Sequence, residues 1–164
     1  MPCLLVPDRI AASDASIESY DNRRRGTSPR LPADLGTARE LAPVAVPLIA
    51  VVDDDEALCS SLADLMRSIG YRATPFHSAE ALLESADCFK ADCIIADIHM
   101  SGMGGLTLLR AVREQGIATP VILVTALTDQ TLDAEAAARG ALCLLRKPFE
   151  MSSLLDYVER SLSK

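Results

Sequence analysis

The sequence predicts a doubly wound α/β domain, a five-stranded parallel sheet with helices on both faces. Three observations predict it. Five short apolar runs alternate with stretches of helical period from residue 47 to residue 164, and alternation at this spacing is how a covered parallel sheet reads. The runs Leu48–Val52 and Cys93–Ala96 are apolar without a break, which suits strands buried on both faces. Hydrophobic residues make up 49% of the chain while aromatics make up 4% and Trp is absent, so the core is aliphatic.

The elements follow in order. Leu48–Val52 is the first strand and ends in Asp53-Asp54-Asp55-Glu56. Leu58, Leu62, Leu65, Met66 and Ile69 then recur at helical spacing, and Gly70 closes the helix. Acidic residues favour its N-terminus. Tyr71–Pro75 is a weaker second strand, ended by Pro75. Ala79–Ala86 forms a short helix with Ser78 as its cap. Asp92–Ala96 is the third strand, and residues 98–104 form a loop containing Gly102 and Gly104. Leu106, Leu109 and Val112 start a helical face that Gly116 stops. Pro120–Val124 is the fourth strand, proline being tolerated at a first strand position. Asp129–Arg139 is an Ala-rich helix whose thin apolar face rests on Leu132 and Ala136. Ala141–Leu145 is the fifth strand, and Leu154, Leu155, Val158 and Leu162 line a last helix.

Residues 1–46 read differently. Pro, Ser, Ala, Asp and Arg dominate, and no period persists. The segment is expected to be a disordered leader, or an over-extended gene start, ahead of a domain at 47–164. Arg23-Arg24-Arg25 within it reads as a solvated charge run. The net charge of −7 argues against direct nucleic-acid binding by this chain. No apolar stretch approaches the about 20 residues of a membrane span, and no signal peptide is evident. The five cysteines, Cys3, Cys59, Cys88, Cys93 and Cys143, show no metal-binding spacing. They read as small hydrophobes in a reducing compartment, so the expected location is cytoplasmic.

Ligands of an open parallel sheet bind just past the carboxyl ends of its strands. The first strand delivers Asp53 and Asp54 there, the third Asp97, the fourth Thr125 and the fifth Lys147. Packed carboxylates repel unless a cation intervenes. Mg²⁺ takes oxygen ligands, usually one or two carboxylates plus phosphate. A carboxylate such as Asp97 can then act as a nucleophile toward phosphorus. Phosphoryl transfer needs mainly in-line positioning and neutralised oxygens. Mg²⁺, Lys147, and Thr125 with a backbone N–H would each meet one oxygen.

Residues 47–164 resemble a response-regulator receiver domain of two-component signalling. The motifs that carry the resemblance are Val51-Val52-Asp53-Asp54-Asp55-Glu56, Ile95-Ala96-Asp97-Ile98-His99-Met100, Val124-Thr125-Ala126 and Lys147-Pro148-Phe149-Glu150. Phe76-His77-Ser78-Ala79-Glu80 is similar to receivers attached to LuxR-type regulators of the nitrogen-fixation kind. The resemblance implies a flavodoxin-like, CheY-like (βα)5 fold with strand order 2-1-3-4-5. It implies a phosphorelay phosphoprotein rather than an enzyme. Asp97 would take a phosphoryl group from a sensor histidine kinase, assisted by Thr125 and Lys147. Asp54 would hold Mg²⁺ directly, Asp53 through water, with Asp97 and the backbone carbonyl of His99 completing the set. The Lys147–Pro148 bond is expected to be cis. A homodimer through residues 129–162 is a further expectation, with transcription regulated through a missing or separate output.

Two departures stand out. Ser101 replaces a usual proline, which should loosen the loop after Asp97, and Leu144 stands where the family often has Tyr or Phe. Two other readings stay open. One is an unphosphorylated receiver-fold binding module. The other is a haloacid-dehalogenase-like phosphatase using Asp53, on the strength of Asp53-x-Asp55. The side chain of His99 reads as solvent-facing, and His77 reads as a loop residue.

Overall fold

Every residue of Leu48–Val52 (β1) is buried, because side chains leave both faces of this strand and both faces are covered. A computed structural model describes residues 45–163. The expected leader, Arg23-Arg24-Arg25 and Cys3 lie outside the described residues, apart from residues 45 and 46. With β2 (Arg72–Phe76), β3 (Cys93–Asp97), β4 (Val121–Thr125) and β5 (Cys143–Arg146), β1 forms one parallel sheet in the order β2-β1-β3-β4-β5. The helices are α1 (Glu56–Ser68), α2 (Ala79–Glu84), α3 (Asp87–Lys90), α4 (Gly105–Glu114), α5 (Thr131–Ala138) and α6 (Met151–Leu162).

Strand side chains alternate between faces, and the core divides accordingly. Ala50, Val52, Ile94, Ala96 and Leu123 pack with Leu82, Cys88, Leu108, Val112 and Ala136, beneath α2 to α5. Ile49, Val51, Ile95, Ile122 and Val124 pack with Cys59, Leu62, Met66, Leu154 and Val158, beneath α1 and α6. An uninterrupted apolar run is therefore required at β1, β3 and β4, where both neighbours are strands.

The caps explain the helix limits. Asp55 Oδ1 accepts from the N–H groups of Ala57 at 3.1 Å and Leu58 at 3.0 Å, so this acidic residue starts α1. Ser78 Oγ accepts from Ala81 N–H and starts α2. At the end of α1, Gly70 takes the left-handed conformation, φ 100°. Only Leu132 and Ala136 of α5 are buried, the thin face expected.

Several element ends shift by one or two residues from the sequence expectation, as where β5 starts at Cys143 rather than Ala141 and α5 at Thr131 rather than Asp129; three differences say more. Residues 87–90 form a separate turn of helix, α3. Pro75 lies inside β2, opposite Val51, instead of ending it. β2 is an edge strand, where a missing N–H breaks no ladder bond on the solvent side. Asp97 is itself the last residue of β3. The Lys147–Pro148 bond is cis, as expected.

Arg113 of α4 ties together the end of the sheet away from the motif residues. Its guanidinium donates to the carbonyls of Ile117 at 2.8 Å, Thr119 at 2.9 Å and Gly140 at 3.1 Å. Arg113→Ala strips the donor from three carbonyls at once. The expected loss is about 1–2 kcal/mol in urea unfolding, with an unchanged m-value. Arg113→Lys should recover only part, because an ammonium lacks the planar fork.

Candidate functional site

At the carboxyl ends of β1, β3 and β5, three motif side chains meet. Lys147 Nζ lies 2.9 Å from Asp53 Oδ2 and 3.1 Å from Asp97 Oδ1. Asp53 and Asp97 are only 4% and 6% exposed. Each carboxylate is also held by the chain beside it. Asp53 Oδ1 accepts from Asp55 N–H at 2.9 Å, and Asp97 Oδ2 accepts from His99 N–H at 2.8 Å. Both are Asx turns, which orient a short carboxylate without help from another element.

The charges are unevenly compensated. Burial pushes the Asp97 carboxyl above its ordinary value and the nearby Asp53 charge adds to this, while Lys147 and His99 N–H oppose it. Burial disfavours the Lys147 ammonium, but its hydrogen bonds to Asp53 and Asp97 outweigh that and hold its pKa above the usual value. The Ser101 N–H lowers the carboxyl of Asp54. One ammonium thus serves two buried carboxylates, with exposed Asp54 beside them.

This donor set is all hard oxygen and carries excess negative charge, which suits a divalent cation that prefers oxygen. Among the described residues, no three His, Cys, Asp or Glu side chains converge as a ready-made cage. An ion that keeps several waters and shares the site with phosphate needs no such cage.

Thr125 is fully buried, and its hydroxyl is already engaged. Oγ1 accepts from Leu127 N–H at 3.1 Å and lies 3.3 Å from His99 Nδ1. It is linked to the loop after β4 rather than to Asp97 or Lys147. His99 is exposed, as expected, yet its ring reaches Thr125. Leu144 is half-buried against the core on the α2–α5 side.

The loop after Asp97 folds back tightly. A Cβ on Gly104 would run into the carbonyl oxygen of Ile98, and one on Gly105 into that of Asp97. Only glycine lets α4 begin so close to the strand end. Ser101 does not leave this loop loose. It has the N–H that proline lacks, and this donates to Asp54 Oδ2 at 2.8 Å. Glu80 Oε1 accepts from Met103 N–H at 3.0 Å. Neither tie was expected from the sequence. The Ser101 donor is a backbone group, and Glu80 carries only the signal of a polar residue in a helix's first turn.

Comparison with known proteins gives the family and the fold. The response regulator receiver domain family matches residues 49–159. The transcriptional regulatory protein FixJ of Azorhizobium caulinodans is 36% identical over 116 residues, 71% of this chain and 55% of that protein. The crystal structure of FixJ-N is 31% identical with a TM-score of 0.64, covering 71% of this chain and 93% of that one. Vibrio cholerae chemotaxis protein CheY4 is 29% identical with a TM-score of 0.67, covering 72% of this chain and all of that one. The chain spans about half the length of the FixJ relative it matches. Among the described residues no helix is long and apolar enough to cross a membrane. With a β2-β1-β3-β4-β5 sheet whose rim joins Asp53, Asp97 and Lys147, the chain belongs to the response regulator receiver domain family of two-component systems.

Proposed function

We propose that Asp97 accepts a phosphoryl group from the phosphohistidine of a sensor histidine kinase, with Mg²⁺ bound at the same rim, and that the two states of Asp97 bind partners differently. The observation that carries this is the Lys147 ammonium bridging Asp53 and Asp97. It places a cation beside a buried carboxylate that lacks full compensation. Receiver domains are phosphoacceptors rather than conventional enzymes, and histidine kinases phosphorylate them.

In the step, an Asp97 oxygen forms a bond to phosphorus. The phosphorus–nitrogen bond to the kinase histidine breaks, and its electron pair stays on that nitrogen. The imidazole leaves neutral when its other nitrogen carries a proton. Lys147 would hold one phosphoryl oxygen, a role its contacts with Asp53 and Asp97 support. Asp53, Asp54, Asp97 and the His99 carbonyl would hold the metal. Mg²⁺ supplies hard positive charge that offsets the carboxylates and the transferring oxygens.

The readout follows from Thr125. To donate to a phosphoryl oxygen its hydroxyl would turn toward the rim, and because Oγ1 accepts from Leu127 N–H that turn draws on the loop after β4. We read residues 129–162 as the surface that feels this, and as the contact for a second copy. Leu142 within it and Leu127 just before it are exposed. An apolar groove lined by Leu58, Leu62, Pro148, Phe149 and Met151 adjoins Lys147, where a kinase reaching Asp97 would rest. This reading places the protein in the cytoplasm. The output of the whole protein is taken to be transcriptional, by likeness to the FixJ relative.

The test uses acetyl phosphate with Mg²⁺. Intact mass should show one added phosphoryl group, and borohydride reduction with peptide mapping should place it on Asp97. Labelling at another residue, or undiminished labelling in EDTA, overturns the proposal.

A further inference from the structure

The tie between Ser101 and Asp54 spans 47 positions of sequence. It joins the loop after β3 to the residue that follows Asp53, and no counterpart can exist where proline stands. We propose that the Ser101 backbone N–H is a positioning donor for Mg²⁺ in this chain, holding Asp54 Oδ2 so that Oδ1 is presented to the ion. The inference rests on the Mg²⁺ reading above.

Asp54 needs such a donor. It is exposed, and Ser101 is the residue that holds it, its N–H donating to Oδ2 while its hydroxyl also favours the carboxylate. Asp53 and Asp97, in contrast, are each fixed by an adjacent N–H and by Lys147. A free aspartate would lose rotamer freedom on binding metal. One already held by an outer hydrogen bond has lost it beforehand, and such outer partners are commonly worth 10- to 100-fold in metal affinity. The N–H also draws charge from the carboxylate, holding its pKa below the usual range. Asp54 is ionised at neutral pH in either case, so orientation decides.

The donor is itself well held. Met103 N–H, two residues on, is fixed by Glu80 Oε1 at 3.0 Å. Between them Gly102 adopts φ 81°, and a Cβ there would sit 3.1 Å from Glu80 Oε1. The loop is thus clamped by Asp54 on one side of Gly102 and by Glu80 on the other. The same loop includes His99, whose carbonyl is the remaining proposed ligand. Ser101 therefore ties Asp54 to the loop that carries the His99 carbonyl before the metal arrives.

The test is Mg²⁺ titration of the full chain, followed by amide chemical shifts. Ser101→Ala keeps the N–H and should bind within about twofold of the unmodified protein. Ser101→Pro removes it and should bind about tenfold more weakly. Equal or tighter binding by the folded proline variant overturns the inference alone. An unmodified protein that binds no Mg²⁺ at millimolar concentration overturns the metal reading and this inference together. A second measurement does not depend on the proline variant folding. In metal-free protein, Asp54→Ala should speed amide exchange at Ser101 about tenfold or more and leave Met103 unchanged. Equal exchange at Ser101 in both proteins overturns the inference.

Discussion

Asp97→Asn should abolish phosphoryl uptake and, in the absence of metal, raise the thermal midpoint at neutral pH. Asn keeps the shape of Asp and can still accept from His99 N–H, but it has no nucleophilic carboxylate. The loss of uptake should be complete. The gain in stability follows from burial, which holds the folded Asp97 carboxyl above its ordinary value. A carboxyl with a raised folded pKa binds protons more readily in the folded than in the unfolded chain. Its ionised form therefore weakens folding at neutral pH, and that cost fades as pH falls through the folded pKa. The Asn variant should melt roughly 3–5 °C higher at pH 7 in EDTA, the shift about 1 kcal/mol gives a domain of this size. The gap should shrink as pH falls through the carboxylate range and vanish below the unfolded value. Melts of both proteins from about pH 7 to about pH 4 check this. A lower midpoint for the Asn variant at pH 7 would mean that pairing with Lys147 outweighs burial.

Lys147→Ala should act in the opposite direction and more strongly. It removes the ammonium that lies 2.9 Å from Asp53 and 3.1 Å from Asp97. Two buried carboxylates then face each other with no side-chain cation between them. Taking one partner from a buried ion pair costs about 3–5 kcal/mol in general. Lys147 keeps 24% of its side chain exposed, so water enters on its removal and about 2–3 kcal/mol is the better expectation. Urea unfolding in EDTA measures it. Saturating Mg²⁺ should recover part of the loss, because the ion replaces the missing charge. Asp97→Asn in the Lys147→Ala background should also recover part of it. A loss below about 0.5 kcal/mol, or no recovery from either change, would sink the electrostatic account of this rim.

Much of this was legible in the chain itself. Leu48–Val52 and Cys93–Ala96 are apolar throughout because both faces of their strands are covered, and that demand acts on each residue locally. Asp53, Asp97, Thr125 and Lys147 stand out because each ends such a run. The errors have equally local causes. Pro75 was expected to end β2, but an edge strand tolerates a missing donor. Residues 87–90 form α3, but four residues carry too little periodicity to predict a helix.

Ser101 shows the other side. Its identity suggested a looser loop, because a restraining proline is absent. Instead its N–H found Asp54, a partner 47 positions away. His99 is exposed, as its sequence reads, and the structure adds that its Nδ1 lies 3.3 Å from Thr125 Oγ1. Glu80 read as part of a helix start, yet it holds Met103 N–H.

The sequence by itself determined the alternation of strands and helices and the chemical types at the rim, because periodicity and side-chain identity are written residue by residue; the order of the strands came only through the resemblance to receiver domains. Only the tertiary structure decided which of these groups are bonded. It put Lys147 between Asp53 and Asp97, turned the Thr125 hydroxyl to Leu127 and His99, and gave Asp54 to Ser101. The physical reason is that these contacts depend on backbone N–H groups and side-chain directions. Every residue but proline carries the same N–H, so its partner becomes defined only when distant segments are packed together.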